Sequence, residues 1–244
     1  MSYDLYFDKV GELIQRIKST QRENLQLAAQ RIADSIERGG IIHVFGAGHS
    51  HVLAEELFAR AGGLGCVNAI LEPALMPHSG ADKASRLEQI AALGTIVFED
   101  EDIRKEDIMI LVSNSGINPI IVEFALCCKK AEIPMIAVTS LEHSTSVPSR
   151  HSSGKKLYEL ADIVLDNQCP KGDALMDIES INAKVAAMST VTGAAIVQAM
   201  VYLTVLELEK RGLPIPVRIS RNLHGGERNN LQYRREYASR IRRL

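Results

Sequence analysis

The chain contains no tryptophan, only 5% aromatic residues and only four cysteines, none of them in a CxxC pair. A disulfide scaffold and a cysteine-ligated zinc framework are therefore excluded. Cys127 and Cys128 are adjacent and Cys66 sits in an apolar run, so they read as reduced structural thiols, which points to a cytoplasmic protein. With 17 Gly and 8 Pro, collagen-like and low-complexity classes are out. A net charge of −2 with 46% hydrophobic residues excludes bulk disorder. No GxxxxGK[ST] phosphate loop occurs. The opening Met1-Ser-Tyr-Asp-Leu-Tyr-Phe-Asp8 has no basic n-region and no apolar h-region, so no signal peptide is expected.

One uncharged run, 185–206, is long enough to cross a bilayer. Ser189, Thr190, Thr192, Gly193, Gln198 and Thr204 dilute it. A helix buried in a soluble core or a subunit interface is the expected outcome, not a membrane span.

What is present is 244 residues of ordinary globular composition, with charge unevenly placed. From Arg218 onward eight Arg and two Glu give a net of +6, so the preceding 217 residues carry −8. The arginines alternate with Leu223, Leu231, Tyr233, Tyr237 and Ile241 rather than forming a block. The expectation is a tail that folds back on an acidic body or a neighbouring subunit, with neither nucleic acid nor membrane as partner. The domain reading is 1–217 as one α/β body and 218–244 as an Arg-rich extension.

Along the chain, 4–38 shows two helical apolar stripes stopped by Gly39-Gly40. Short apolar runs at 41–45, 66–71, 108–112, 135–138 and 163–165 read as buried strands. Helical patterns lie between them at 50–61, around 83–93, at 119–131 and in a turn at 157–161. Residues 141–155 read as polar loop, and 178–210 as one or two long helices. Continuous apolar strands alternating with helices specify a parallel sheet covered on both faces, a doubly wound α/β fold with an N-terminal helical hairpin.

Ligands of such sheets bind beyond the carboxyl ends of the strands. Three of those ends are glycine- or hydroxyl-rich: Gly46-Ala-Gly48-His49-Ser50, Ser113-Asn114-Ser115-Gly116 and Thr139-Ser140. Serine and glycine are also ordinary turn and cap residues. Their recurrence at three strand ends describes an anion cradle, in which small residues expose backbone N–H groups and helix N-termini add positive potential. A dinucleotide site would need GxGxxG, but His51 stands at the third glycine, even though Glu72 offers a ribose-binding acid.

The paired GxGxS and SxSG loops, followed by Ile-Ala-Val-Thr139-Ser140, resemble those of the sugar isomerase (SIS) domain family over roughly residues 5–212. The overall likeness is to single-SIS bacterial proteins, with similarity to phosphoheptose isomerase. The run Ser189-Thr190 through Ala194-Ala195 to Gln198 resembles the late helix of N-acetylmuramic acid 6-phosphate etherase. The resemblance implies a five-stranded parallel sheet in flavodoxin-like order, a phosphosugar ligand and a homodimer or homotetramer. It implies that Ser113, Asn114, Ser115 and Gly116 hold the phosphate, joined by Thr139 and Ser140. Asn118 stands where family members often have Thr.

The family's acid/base residue is a glutamate, which makes Glu55, Glu56 and Glu72 candidates, with His49, His51, His78 or His224 as a second proton carrier. Glu55, Glu72 and His224 are the expected catalytic set. His51 and Glu55 share a helix face at i,i+4, but in the phosphoheptose isomerase branch that the loops resemble the His–Glu pair lies further along the helix, and no metal is expected. No cofactor is expected either. The functional readings are a sugar-phosphate isomerase or etherase-like lyase, or else a non-catalytic phosphosugar sensor. The absence of a DNA-binding segment favours the enzyme. Calorimetric titration with NAD or NADP is expected to show no binding; micromolar binding would restore the dinucleotide reading with Glu72 as ribose partner.

Overall fold

The computed structural model describes residues 3–244; Met1 and Ser2, which begin the stretch read for a signal peptide, lie outside the described residues. The N-terminal stripes form two helices: α1 (Asp4–Thr20) buries Leu13 and Ile17, and α2 (Arg22–Glu37) buries Leu25, Ala28, Ala29, Ile32 and Ala33. β1 (Ile42–Gly46) runs into a 3-10 turn at Gly48–Ser50 and a short α3 (His51–Leu57). β2 (Val67–Ile70) leads through two 3-10 turns to α4 (Ala81–Leu87) and α5 (Ala91–Glu99). β3 (Ile108–Val112), α6 (Pro119–Lys130) and β4 (Met135–Thr139) follow. Then come α7 (Leu141–Thr145), α8 (Leu157–Leu160) and β5 (Ile163–Asp166). An antiparallel hairpin, β6 (Ala174–Ile178) and β7 (Ala183–Ala187), precedes the long α9 (Ser189–Lys210), and α10 (Gly226–Tyr237) lies in the tail.

The five-stranded sheet is parallel throughout, in the order β2-β1-β3-β4-β5. This is the expected flavodoxin-like winding, with its switch point between β1 and β3. Alternate strand residues supply two separate cores. Ile42, Val44, Ile110 and Val138 pack under α2, α3 and α9, while Phe45, Met109, Leu111 and Ala137 pack under α5 and α6. Both faces being covered explains why the strands read as unbroken apolar runs.

Three expectations fail. The stretch 141–155, expected as loop, opens with the short helix α7, whose first turn Ser140 caps. The helix around 83–93 is two helices, broken between Leu87 and Ala91. Residues 178–210 are not helical throughout: 178 ends β6, 183–187 is β7, and the helix starts at Ser189. Ala183, Lys184, Ala186 and Ala187 are good helix formers, and pairing overrides that preference. Lys184 sits opposite Asp177 and Val185 opposite Met176, with Asn182 in the left-handed region at the turn. The uncharged run is thus divided between a strand and a helix. Among the described residues α9 is the one helix long and apolar enough to cross a membrane, and it buries residues from Thr192 to Leu208 against the body.

The basic tail returns to the amino-terminal end of the sheet. Arg240 Nη2 lies 2.7 Å from Asp107 Oδ2 and its Nε 3.0 Å from Asp102, while Arg242 meets Asp100 at 2.7 Å. Arg243 donates to the carbonyls of Ala69 (3.1 Å) and Leu71 (3.2 Å) on the outer edge of β2. Asp107 is fully buried and accepts from the N–H groups of Ile41 (2.8 Å) and Arg104 (2.7 Å) and from His43 Nε2 (3.1 Å). Burial alone would raise its pKa, but the hydrogen bonds from His43 and the two backbone N–H groups outweigh it and hold the carboxyl below its ordinary 3.8. A depressed carboxyl stabilises the fold above the unfolded-state pKa, and that stabilisation fades as pH falls through the folded value. Asp107→Asn is expected to cost on the order of 3 kcal/mol at neutral pH, with the difference from wild type shrinking below about pH 3.8 in urea titrations. A pH-independent difference would contradict this assignment.

Candidate functional site

A cavity of about 290 Å³ opens where the carboxyl ends of β1 and β3 lie side by side. The first wall is the β1 turn. Gly46 must be glycine here, since a Cβ would come within 2.8 Å of the Ser50 carbonyl as the chain folds back. Gly48 has φ +59 and faces Glu88, whose Oε1 would lie 2.7 Å from a Cβ. Ala47, Gly48, His49 and Ser50 line the cavity, and Gly46 shapes their turn without lining it.

The second wall is the β3 turn. Ser113 Oγ accepts the Gly116 N–H at 3.1 Å, which closes the turn with Gly116 at φ +63. The Asn114 carbonyl accepts from Ser140 N at 3.0 Å, and its side chain accepts from Asn167 at 2.9 Å. Among the described residues, the N–H groups of Asn114 and Ser115 and the Ser115 hydroxyl have no intramolecular partner. Ser113, Asn114, Ser115 and Asn118 all line the cavity. Rigid, unspent donors at the start of α6, with Pro119 at its first position, suit an anion.

The third strand end behaves differently. Thr139 and Ser140 are fully buried, and neither lines the cavity. Thr139 donates to the Asn114 carbonyl (3.2 Å). Ser140 donates to the Cys169 carbonyl (2.6 Å) and accepts from His143 N (3.1 Å), capping α7. The Thr139 hydroxyl thus holds the backbone of the β3 turn, and the Ser140 hydroxyl ties the start of α7 to Cys169.

The expected catalytic set is also not gathered. Glu55 is on an outer face of α3, its side chain 55% exposed and 3.7 Å from His51 Nε2. Glu56 pairs with Arg60 (2.9 Å) and accepts from Gln198 (2.8 Å). Glu72 caps the turn after β2 by accepting Ala74 N at 3.0 Å. His224 is exposed in the turn before α10, beside Glu227, which pairs with Arg221 at 3.2 Å. None of these lines the cavity. His51 is buried with Nδ1 on the Gly48 carbonyl and its ring 6.2 Å from that of His78. Among the described residues no group of three His, Cys, Asp or Glu side chains is placed to hold a metal ion.

The cavity instead recruits Glu88, His143 and Asp173, which sequence reasoning did not single out, and Ser189, which it named only in the late helix. Glu88 follows α4, inside a stretch read as mid-helix, and Asp173 and Ser189 frame the hairpin that was read as helix. Burial raises the Glu88 carboxyl above its ordinary 4.5, opposed by the Asn118 Nδ2 hydrogen bond (2.5 Å) and the charges of Arg150 and His49. Burial, then the charge of Lys171, lowers His143 below its ordinary 6.5, and its Nδ1 is buried without a partner. Asp173 closes the N-terminus of α9, accepting Ser189 N and Ser189 Oγ, both at 2.7 Å.

Ser115 offers the cleanest test of the cradle, because its hydroxyl has no structural duty. Ser115→Ala is expected to cost about 1.5–3 kcal/mol of phosphate binding, roughly ten- to a hundredfold in affinity, with melting unchanged. Titration of a sugar phosphate and its free sugar checks this; equal loss for both would place the phosphate elsewhere.

A family model described as "SIS domain" matches residues 5–140. A UPF0309 protein of Geobacillus kaustophilus (strain HTA426) is 40% identical over 236 residues, 97% of this chain and 94% of that one. A phosphoheptose isomerase from Francisella tularensis superposes with TM-score 0.53 at 18% identity, over 84% of this chain and 98% of that one. The Vibrio vulnificus NanR protein complexed with ManNAc-6P gives TM-score 0.51 at 15% identity, covering 97% of this chain and 68% of that one. At such identities these two structures speak for the fold alone. The SIS match over residues 5–140, together with 40% identity to a UPF0309 protein over nearly the full length of both chains, places the chain in the SIS-domain family, among the UPF0309 proteins.

Proposed function

We propose that the protein binds a phosphorylated sugar and moves a proton on it, as a sugar-phosphate isomerase or an etherase-like lyase. The observation that carries this reading is one cavity holding both unspent phosphate donors at Asn114 and Ser115 and a carboxyl, Glu88, whose pKa is raised. A phosphate on the β3 turn leaves the sugar extending toward Glu88 and His49. Ionised Glu88 removes the proton from the carbon beside the carbonyl, and His49 or His143 exchanges the proton on the neighbouring oxygen. Return of the carbon-bound proton to the adjacent carbon is isomerisation. Expulsion of an ether oxygen one carbon further on is elimination. Both begin with the same step, so the same residues serve either outcome, and no cofactor is needed.

A second reading, a phosphosugar-binding protein without catalysis, is favoured by the expected acid–base set, Glu55, Glu72 and His224, lying outside the cavity. The same proposal places the protein in the cytoplasm, with its four cysteines unpaired, as a homodimer or homotetramer. What supports association is the exposed apolar side of α1 and α9, with Phe7, Tyr202 and Leu206 in solvent.

Solvent-deuterium exchange into a panel of sugar phosphates separates the two readings. Wild type is expected to exchange a carbon-bound proton, and Glu88→Gln to slow exchange by about a hundred- to ten-thousandfold while still binding ligand. A raised carboxyl must lose its proton to act as base, so the acid limb of kcat/KM is expected above the ordinary 4.5. Binding without exchange in wild type would establish the non-catalytic reading.

A further inference from the structure

The residues that line the cavity include two carboxylates, Glu88 and Asp173, and no lysine or arginine. Hydroxyls and N–H groups solvate a phosphate dianion but do not cancel its repulsion from those carboxylates. A permanent positive charge has to reach the cavity from outside its walls. Arg150 is placed to do so. Its Nη1 donates to Asn118 Oδ1 at 3.1 Å, and Asn118 lines the cavity and donates through Nδ2 to Glu88 at 2.5 Å. The guanidinium is otherwise exposed, with most of its five donors free. Its charge opposes the rise of the Glu88 pKa and, behind burial and the charge of Lys171, adds to the lowering of His143.

Taking the phosphosugar reading as given, we infer that Arg150 is the residue that selects phosphorylated over unphosphorylated sugars, and that buried His151, held by half-buried Glu123, positions it. The loop that carries Arg150 has no regular structure, yet it is anchored on both sides. Arg150 N donates to the Ile117 carbonyl (3.1 Å), and Leu157 N to the Gly116 carbonyl (2.9 Å). The next residue, His151, has a side chain only 5% exposed. Its Nδ1 accepts the Ser153 N–H at 3.1 Å, which assigns the other ring proton to Nε2, and this donates to Glu123 Oε2 at 2.9 Å. Glu123 belongs to α6, the helix whose start presents Asn118, and its other oxygen accepts from Thr95 of α5 at 3.0 Å. One helix therefore fixes both the phosphate turn and the arginine beside it. An exposed arginine between buried anchors has no stability duty of its own; an incoming phosphate gives it a bidentate partner within reach of Asn118.

Calorimetry with inorganic phosphate, sugar phosphates and the matching free sugars tests this on wild type, Arg150→Gln, Arg150→Lys, His151→Gln and the Arg150→Gln/His151→Gln double variant. Arg150→Gln is expected to weaken every phosphorylated probe roughly ten- to a hundredfold, leave free sugars unchanged and flatten the salt dependence. Arg150→Lys recovers the salt dependence and part of the affinity. His151→Gln shifts phosphorylated probes in the same direction, and it adds nothing in the Arg150→Gln background. Ligand-free melting of Arg150→Gln stays at the wild-type value. Unchanged phosphate affinity in Arg150→Gln, or equal loss for free sugars, overturns the role of Arg150. A His151→Gln effect that persists in full without Arg150 overturns its positioning role. If wild type binds none of the phosphorylated probes, the phosphosugar reading itself fails and takes this inference with it; wild-type binding with an indifferent Arg150 removes the inference alone.

Discussion

Everything at the ligand end depends on the parallel pairing of β1 with β3, which finishes with Gly46 opposite Val112. The two chains leave that pairing on opposite faces of the sheet, α3 toward one core and α6 toward the other. Two turns moving apart cannot fill the space between them, and the crevice that remains is the cavity. A shift of one residue in this register would turn every side chain of the strand to the other face, so the apolar alternation that builds both cores also fixes the distance between the two loops.

Features whose cause is local were readable from residue types. The strands stood out because both faces are buried, and the turns after β1 and β3 because close approach and positive φ demand glycine at Gly46, Gly48 and Gly116. What sequence alone could not show is direction and long-range encounter. Thr139 and Ser140 have the right chemistry for a ligand, but their hydroxyls turn inward to backbone carbonyls. Glu88 lies on a connecting segment with no motif around it and meets Gly48 and Asn118 only through the tertiary fold. Helix-forming residues hid the β6–β7 hairpin, and with it the approach of Asp173 to the cavity.

The two ends of the sheet use polar groups in opposite ways. At the amino end, His43, Asp107 and Arg240 satisfy one another out of water, and Asp107 is spent on four donors. At the carboxyl end, the Asn114 and Ser115 N–H groups and His143 Nδ1 are left unspent beside the cavity. One end spends its polar groups within the fold, and the other keeps groups that a ligand can complete.

The contact of Arg243 with β2 has a consequence for how the chain is made. β2 is an outer strand, and an unpaired edge is a template for another chain. Arg243 occupies the Ala69 and Leu71 carbonyls on that edge, yet it lies 174 residues beyond Ala69 in sequence. At roughly 5–20 residues per second, synthesis needs on the order of ten to thirty seconds to bring the cover to the strand. For that interval β2 lacks this cover while the strands beyond it are still being made, and nascent chains crowded on one message can pair with each other there.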